Sequence, residues 1–343
     1  MKLSEIDQLE SFALLGPKFS DGVCLLMSEL AIDKLSSRNG DSLRLVFVPF
    51  ETNANAAQIF KPADCKAITL EFDVPVVLPV AKLADLNYID NISQIRQAIA
   101  AGDVYQVCYT IRAKLDGDIS GASLFACMNT QNMAPFAAWV RLPNGVEFVS
   151  ASPELFFSIK GRQIISQPMK GTMQPQSVND LVASVKDRCE LAMITDLIRN
   201  DLTPICEPHS VSVTCERQIL KLPYAVQTVS EISGILLPQI NSIDVLTALH
   251  PGGSVTGAPK QAALKMITKL ESTVRGAYCG TLGIVFNKEH SVFNLLIRTA
   301  SFSNGSWVYG VGSGIVYDSD ASKELQEIYT KLGALTCHTP AYA

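Results

Sequence analysis

Apolar and polar positions alternate along this chain with two periods, and each period predicts one kind of secondary structure. Alternation at every second residue predicts strands, whereas apolar residues spaced three and four apart predict helices that bury one face. The strand pattern covers residues 22–27, 43–50, 67–72, 104–114, 136–142, 146–160, 163–167, 211–237, 279–286, 292–302 and 307–316. The helical pattern covers residues 92–101, 180–200, 242–250, 259–272 and 321–336.

The order of these elements indicates the fold class. Runs of strands are followed by runs of helix, without strict strand–helix–strand alternation, and this predicts an α+β fold with largely antiparallel sheets. The pattern changes near residue 85 with no linker and no internal repeat. We therefore expect a short amino-terminal portion, residues 1–85, that is integrated into a catalytic unit at residues 86–338.

Composition and charge narrow the classes of partner and compartment. Of the 343 residues, 48% are apolar and 18% charged, which suits a large buried core. The net charge of -5 comes without a Lys/Arg block, which argues against nucleic acid and membrane as partners. The cysteines form no Cys-x-x-Cys pair, residues 1–10 are polar, and the longest apolar stretch is 74–81. These features predict a cytoplasmic protein with reduced thiols.

Lys170 is the first candidate for chemistry. It follows the strand pattern at 163–167, and Gly171 after it permits the backbone to turn while Thr172 adds a hydroxyl. A lysine fixed on such a bend is a candidate nucleophile or electrostatic clamp. A solvated turn lysine explains the same residues when the segment is taken alone.

Two pairs of acidic residues are candidates for a metal site. Asp187 and Glu190 lie three apart on the predicted helix 180–200, and Glu324 and Glu327 repeat this spacing on the last helix. Residues three apart share a helix face, so each pair is either a solvated surface or a source of carboxylates for one hard cation. Mg²⁺ is typically held by one or two protein carboxylates, with water and substrate oxygens completing its shell.

Glycine-rich stretches add sites that favour anions. Residues 251–260 lead directly into a predicted helix, whose first N–H groups attract negative charge. The stretch is not a P-loop, because Ala258 and Pro259 separate its last glycine from Lys260. Residues 310–314 lack the spacing and the βαβ setting of a dinucleotide turn.

Eight segments, in order along the chain, form one set that covers about residues 90–335. They are residues 102–107, 151–156, 170–172, 187–190, 196–201, 252–260, 297–300 and 312–316. This set resembles the chorismate-utilising family, which includes anthranilate synthase component I, aminodeoxychorismate synthase component I, and the isochorismate and salicylate synthases. The resemblance implies an α/β architecture, in family terms, of two large packed antiparallel sheets with helices outside.

Two positions separate the reactions of this family. Isochorismate and salicylate synthases have a water-activating lysine where this chain has Gln106, and anthranilate synthases usually have alanine at the position of Lys170. Lysine at position 170 resembles the aminodeoxychorismate synthases. The resemblance therefore implies amination of chorismate at C4, with Lys170 attacking C2 as the 4-hydroxyl leaves and ammonia then entering at C4.

The resemblance also implies a role for each matching residue. Glu154 is the expected general acid, Glu190 and Glu327 the expected direct Mg²⁺ ligands, and Asp187 and Glu324 the outer shell. Tyr278 and Arg298 are expected to hold the enolpyruvyl carboxylate, and Ser254 to contact the substrate. The residues expected around the ring carboxylate and the metal are Gly171, Thr172, Gly312, Gly314 and Lys331.

Several departures from the family keep alternatives open. Gln227 stands where relatives commonly have histidine, and Pro175 follows the Lys170 segment where an arginine is usual. The amino-terminal region is shorter than in long members, and bound tryptophan is not expected there. No glutamine amidotransferase domain is found, so a partner subunit is expected to deliver ammonia, on a route to 4-aminobenzoate and folate. The alternatives are anthranilate synthase component I and a non-catalytic chorismate-binding subunit.

Overall fold

A computed structural model describes residues 1–33, 42–83, 87–130, 133–173, 175–222, 225–333 and 335. Within these ranges the helices are α1 (Leu3–Ile6), α2 (Tyr88–Ala100), α3 (Gly121–Asn129), α4 (Val178–Ala183), α5 (Val185–Leu202), α6 (Ser242–Leu249), α7 (Lys260–Leu270) and α8 (Ala321–Leu332). Short 3₁₀ turns occur at Pro17–Phe19, Ala54–Ala56, Pro175–Ser177, Thr203–Ile205 and Gly253–Val255.

The strands alternate with these helices in runs. The first nine are β1 (Phe12–Leu15), β2 (Cys24–Asp33), β3 (Arg44–Val48), β4 (Gln58–Ile68), β5 (Val80–Leu83), β6 (Gln106–Asp116), β7 (Phe136–Arg141), β8 (Glu147–Ser152) and β9 (Leu155–Lys160). The others are β10 (Gln163–Ser166), β11 (Met169–Met173), β12 (Ser212–Leu222), β13 (Ala225–Ile235), β14 (Gly257–Ala258), β15 (Thr281–Asn287), β16 (His290–Leu295), β17 (Thr299–Ser303) and β18 (Ser306–Ile315).

Antiparallel ladders join these strands into one hydrogen-bonded network. From β12 the ladder passes through β13, β10, β9, β16, β15, β3, β4, β2, β1, β7, β8, β17 and β18 to β6. Strand β11 pairs with β13, and β5 and β14 pair with β6. The predicted α+β class with antiparallel strands is confirmed.

The sheet buries both of its faces in its central part. In β1, Phe12 and Leu14 belong to the larger apolar core cluster, whereas Ala13 and Leu15 belong to a second cluster. Successive side chains of a strand point to opposite faces, so this strand has packed neighbours on each side. Strands of the first 85 residues contribute directly, because β3 pairs with β15. The domain boundary at residue 85 stays a prediction.

The observed elements differ from the sequence expectations at several places. The helix predicted at 180–200 is two helices, α4 and α5, because Ser184 is extended and caps α5 through its side chain. The strand predicted at 67–72 is wrong, since β4 ends at Ile68. Helix α3 was not predicted, because its residues are buried nearly all round and lack an amphipathic period. Among the described residues, no helix is long and apolar enough to cross a membrane.

Candidate active site

Lys170 lies at a β-bulge in strand β11. Lys170 pairs with Thr228 on β13, and the next paired residue, Thr172, faces Gln227, so the register shifts at Gly171. Gly171 has a φ of +67°, in the left-handed region that glycine adopts without steric penalty. The turn expected from the sequence is therefore a bulge within a strand, and a bulge redirects the side chains beside it.

Gly171 also allows two helices to approach the strand closely. A Cβ atom at this position would lie 2.6 Å from Leu181 Cδ1 and 3.0 Å from Asp187 Cγ. Asp187 is held in the first turn of α5, where its backbone N–H donates to Ser184 Oγ at 3.2 Å. The absence of a side chain at Gly171 thus brings the predicted outer-shell acid against the strand that carries Lys170.

Ser254 connects Lys170 to Glu154. Its hydroxyl donates a 2.9 Å hydrogen bond to Glu154 Oε1, and its carbonyl oxygen accepts a 3.3 Å hydrogen bond from Lys170 Nζ. Glu154 lies between β8 and β9, where the strand predicted at 146–160 is interrupted, and it is only 3% exposed. Ser254, which is distant in sequence from both residues, therefore contacts the candidate nucleophile and the candidate general acid.

The environment of Glu154 favours its protonated form. Burial raises its pKa to about 7, although the Ser254 hydrogen bond and the positive charge of Lys170 both act to lower it. A carboxylic acid with a pKa near neutrality can donate a proton under physiological conditions and be reprotonated afterwards. This is the behaviour required of a general acid.

The environment of Lys170 has two opposed effects. Burial acts to lower its pKa, but the negative charges of Glu190, Glu154 and Glu327 more than offset this, and the pKa lies above its ordinary value. With these carboxylates ionised, Lys170 is a cation that attracts anions. It becomes a nucleophile only where those charges are neutralised and the proton is removed.

Glu190 on α5 and Glu324 on α8 are the buried members of the acidic group, at 8% and 2% exposed. Glu190 Oε1 and Glu324 Oε2 have no hydrogen-bond partner among the described residues. Lys186 Nζ lies 2.8 Å from Glu324 Oε1 and 4.0 Å from Glu190 Oε1. Burial raises the pKa of Glu190, and the charges of Lys170 and Lys186 act against that rise.

Glu327 lies one helical turn after Glu324 and is more open to solvent. Its side chain is 44% exposed and forms a 2.7 Å ion pair with Lys331. Lys331 Nζ also donates a 2.8 Å hydrogen bond to the carbonyl oxygen of Gly312 on β18. Burial acts to raise the pKa of Glu327, but the charge and hydrogen bond of Lys331 hold it below its ordinary value. The structure thus brings Glu327, Lys331 and Gly312, three of the predicted site residues, into one cluster.

Gln106 and Gly314 meet on neighbouring strands. A Cβ atom at Gly314 would lie 2.2 Å from Gln106 Nε2 and 3.6 Å from Glu190 Oε2. Gln106 is 1% exposed, and neither polar atom of its amide has a hydrogen-bond partner among the described residues. A buried amide normally finds partners, so this one has unused capacity for a polar ligand.

Tyr278 and Arg298 are the residues predicted to hold the enolpyruvyl carboxylate. The structure describes the surroundings of the Tyr278 ring and the backbone of Arg298. Tyr278 is buried beside β18, where a Cβ atom at Gly310 would meet its ring at 2.1 Å, and the Arg112 guanidinium lies 5.4 Å from the ring centre. Burial raises the pKa of Tyr278 well above its ordinary value. Arg298 is half-buried with a φ of +51°, and its carbonyl accepts a hydrogen bond from Ala151 N. The side chains of Thr172 and Pro175 lie outside the described residues.

The acidic group fits a hard divalent cation. Carboxylate oxygens are preferred ligands of Mg²⁺, and Glu190 Oε1 and Glu324 Oε2 are buried oxygens without a donor. Among the described parts of the chain, no set of three or more His, Cys, Asp and Glu side chains is arranged to enclose a metal. Glu190 and Glu324 would supply only part of the shell of such an ion, and water and substrate oxygens would supply the rest.

Two residues of this region were missed by the sequence reasoning. Lys186 contacts both buried glutamates, and its spacing of four residues from Glu190 is a signal for an ion pair on one helix face. Ser319 Oγ donates a 2.8 Å hydrogen bond to Glu324 Oε1. A serine in the turn before a helix is too common to be singled out from sequence.

Comparison of the whole fold first defines a class. An isochorismate synthase from Bacillus anthracis, assigned as 2,3-dihydroxybenzoate-specific, superposes with a TM-score of 0.80 over 97% of each chain at 22% identity. At this identity the similarity shows the fold alone, which is that of chorismate-utilising enzymes. The expected architecture is therefore confirmed.

Sequence comparison then gives the family. Residues 66–336 match the family described as chorismate binding enzyme, and this chain belongs to that family. The aminodeoxychorismate synthase component 1 of Escherichia coli is 36% identical over 73% of this chain and 56% of its own length. An anthranilate synthase component 1 of Haloarcula marismortui is 34% identical over 74% of this chain and 52% of its own length. The matched region spans about half the length of these curated relatives.

Proposed function

We propose that this protein is an aminodeoxychorismate synthase component I that aminates chorismate at C4 with ammonia to give 4-amino-4-deoxychorismate. Residues 86–338 form the chorismate-binding catalytic part in this proposal. The named relative from Escherichia coli supports it, and so does Lys170, which resembles the lysine of that enzyme type. The observation that carries it is the link from Lys170 through Ser254 to Glu154.

This link supplies the two groups that substitution at C4 requires. The neutral amine of Lys170 forms a bond to C2, the ring double bonds shift, and the C4–O bond breaks. Glu154 gives its proton to the departing hydroxyl, which leaves as water, and its pKa of about 7 suits this role. Ammonia then attacks C4, the double bonds shift back, and the bond between C2 and Lys170 breaks. The fold contributes mainly the fixed positions of amine and acid.

The acidic group is proposed to hold Mg²⁺, with Glu190 and Glu327 as direct ligands and Asp187 and Glu324 in the outer shell. When bound, the ion would neutralise the carboxylates that raise the pKa of Lys170 and would bind the ring carboxylate of the substrate. Lys331, Gly312 and Gly314 then line the same carboxylate. Tyr278 and Arg298 are proposed to bind the enolpyruvyl carboxylate, where an arginine offers two parallel donors.

Ammonia is proposed to come from a separate glutamine amidotransferase subunit, and the pair to act in the cytoplasm on the route to 4-aminobenzoate and folate. The names of the relatives, which describe a component 1, support a second component. The chain alone is expected to use ammonium and to leave glutamine unused. Glutamine use by the purified chain at the rate of ammonium use would contradict this part of the proposal.

Anthranilate synthase component I is the second candidate, and the relative from Haloarcula marismortui favours it. That reaction aminates at C2, the atom that Lys170 is proposed to attack, so Lys170 argues against it. A non-catalytic chorismate-binding subunit is the candidate of another class. A subunit that only binds chorismate does not require the raised pKa of Glu154, so this pKa argues against that candidate.

The deciding experiment is to incubate the chain with chorismate, Mg²⁺ and ammonium and to identify the product by mass. Aminodeoxychorismate supports the proposal, anthranilate supports the second candidate, and unchanged chorismate supports the binding subunit. Lys170→Ala should abolish C4 amination while chorismate still binds in the presence of Mg²⁺. Undiminished turnover in this variant would exclude covalent catalysis by Lys170.

A further inference from the structure

Lys186 occupies the space between the two buried glutamates. It lies in the first turn of α5, and its ammonium is 2.8 Å from Glu324 Oε1 on α8 and 4.0 Å from Glu190 Oε1 on its own helix. Its side chain is 46% exposed, whereas Glu324 and Glu190 are 3% and 10% exposed as side chains. The lysine therefore approaches from solvent, and the carboxylates are fixed within the protein.

The ammonium satisfies only part of this acidic group. Each glutamate keeps one buried oxygen without a hydrogen-bond partner among the described residues, Oε1 of Glu190 and Oε2 of Glu324. Buried carboxylates without compensating charge are strongly unfavourable, so a group of this kind needs a cation nearby. The charge of Lys170 acts on Glu190, and the flexible ammonium of Lys186 adds compensation for both carboxylates without binding both of them closely.

We propose that Lys186 is the internal counterion of Glu190 and Glu324 when no metal is bound, and that Mg²⁺ must displace its ammonium in order to bind Glu190 with Glu324 in its outer shell. This inference rests on the proposed Mg²⁺ site. A dication bound to these carboxylates repels an ammonium a few ångströms away. Lys186 has a long stem and an open route to solvent, so it is the group that moves. Each state then has a cation beside the carboxylates of α5 and α8, the ammonium without metal and the dication with it.

The balance gives Lys186 two measurable effects. It stabilises the protein without metal, because it compensates the buried Glu324. It weakens Mg²⁺ binding, because its positive charge lies 4.0 Å from the oxygen of Glu190 and repels the ion there. A residue that only orients Glu324 for the metal would have the opposite effect on Mg²⁺ affinity. The direction in which the Mg²⁺ affinity changes therefore distinguishes a lysine that competes with the ion from one that only orients Glu324.

The test is calorimetric titration of Mg²⁺ into the 343-residue chain after removal of metal, with thermal unfolding measured in parallel. Lys186→Met keeps the length of the side chain and removes the charge. It should lower the Kd for Mg²⁺ by about tenfold, the scale of one partly screened charge at this distance. It should also lower the Tm without metal and increase the rise in Tm that Mg²⁺ produces. Lys186→Arg should stay near the wild type in both measurements.

Lys265→Met is the matched control, because Lys265 is exposed on α7 and its loss changes the net charge equally. It should leave the Kd and the Tm unchanged. An unchanged or weaker Mg²⁺ affinity in Lys186→Met, with binding intact in the wild type, overturns the role of Lys186 alone. Failure of the wild type to bind Mg²⁺, with or without chorismate, overturns the proposed metal site and the inference together.

Discussion

Substitution of Ser254 by alanine tests the link between the candidate acid and the candidate nucleophile. Ser254 Oγ donates a 2.9 Å hydrogen bond to Glu154 Oε1, and this bond lowers the pKa of Glu154 against the effect of burial. The carbonyl oxygen that Lys170 contacts belongs to the backbone and remains in Ser254→Ala. The substitution therefore removes one influence on Glu154 and leaves the contact of Lys170 in place.

The size of the effect follows from the burial of the carboxyl. A hydrogen bond to a charged group contributes about 1.5–3 kcal/mol, and about 1.4 kcal/mol corresponds to one pKa unit. The hydroxyl also interacts with the protonated acid, so the lower end of the range applies. We expect the pKa of Glu154 to rise by about one unit from its value of about 7. Because a general acid acts in its protonated form, the alkaline limb of the activity profile should move to higher pH.

The assay is the pH dependence of kcat at saturating chorismate, with the concentration of unprotonated ammonia held constant. Ser254→Thr keeps the hydroxyl and should retain the wild-type profile. Ser166→Ala is the control for loss of a buried hydroxyl, because Ser166 donates to the Phe156 carbonyl and not to Glu154. An alkaline limb that stays in place or moves to lower pH in Ser254→Ala would refute the assignment of Glu154 as the acid.

Three other predictions concern stability and binding. Glu154→Gln should raise the free energy of unfolding at pH 8 by up to about 3 kcal/mol and change it little at pH 4. The reason is that the pKa of Glu154 rises from 4.5 to about 7 on folding, so the wild type loses stability as the pH increases across that interval. Urea unfolding of both proteins at the two pH values measures this difference. Gly171→Ala should cost about 2–3 kcal/mol because of its φ and the contact with Leu181, whereas the control Gly161→Ala, with a φ of +63° and open space, should cost about 1 kcal/mol by the same measurement. Gln106→Leu should raise the Tm, since it removes a buried amide without partners, and should raise the KM for chorismate. Equal losses of unfolding free energy in Gly171→Ala and Gly161→Ala would contradict the argument about the glycine. An unchanged KM for chorismate in Gln106→Leu would contradict the argument about the amide.

The general fold was predictable from the sequence because its strands and helices have clear periods. The helix at α8 begins at the predicted residue, Ala321, since Asp320 caps it and apolar residues repeat along one face. Helix α3 was not predictable, because burial on nearly all sides removes the polar face that marks a helix. The continuous ladder depends on pairings such as β3 with β15, which join residues more than two hundred positions apart.

The candidate site was predictable in its residue types and less so in its contacts. Lys170 and Glu190 were singled out from their own sequence patterns, and Glu154 through the family resemblance. The structure connects Lys170 to Glu154 through Ser254. The sequence could not show that Ser254 contacts Glu154, because the two are one hundred residues apart. Nor could it show that nearby carboxylates raise the pKa of Lys170 against burial, since that depends on distances between α5, α8 and β11.

The bulge at Gly171 has a consequence for how this enzyme type could lose its chemistry. Deletion of Gly171 would allow β11 to pair with β13 without interruption, so the ladder would become more regular. The pairs of Lys170 with Thr228 and of Thr172 with Gln227 would both remain, because their partners are already consecutive on β13. The local bend and extra twist that a bulge gives a strand would be lost, and with them the direction in which the Lys170 side chain leaves the sheet. A homologue without this glycine would therefore keep its strand pairing and its architecture, while its lysine would be directed elsewhere.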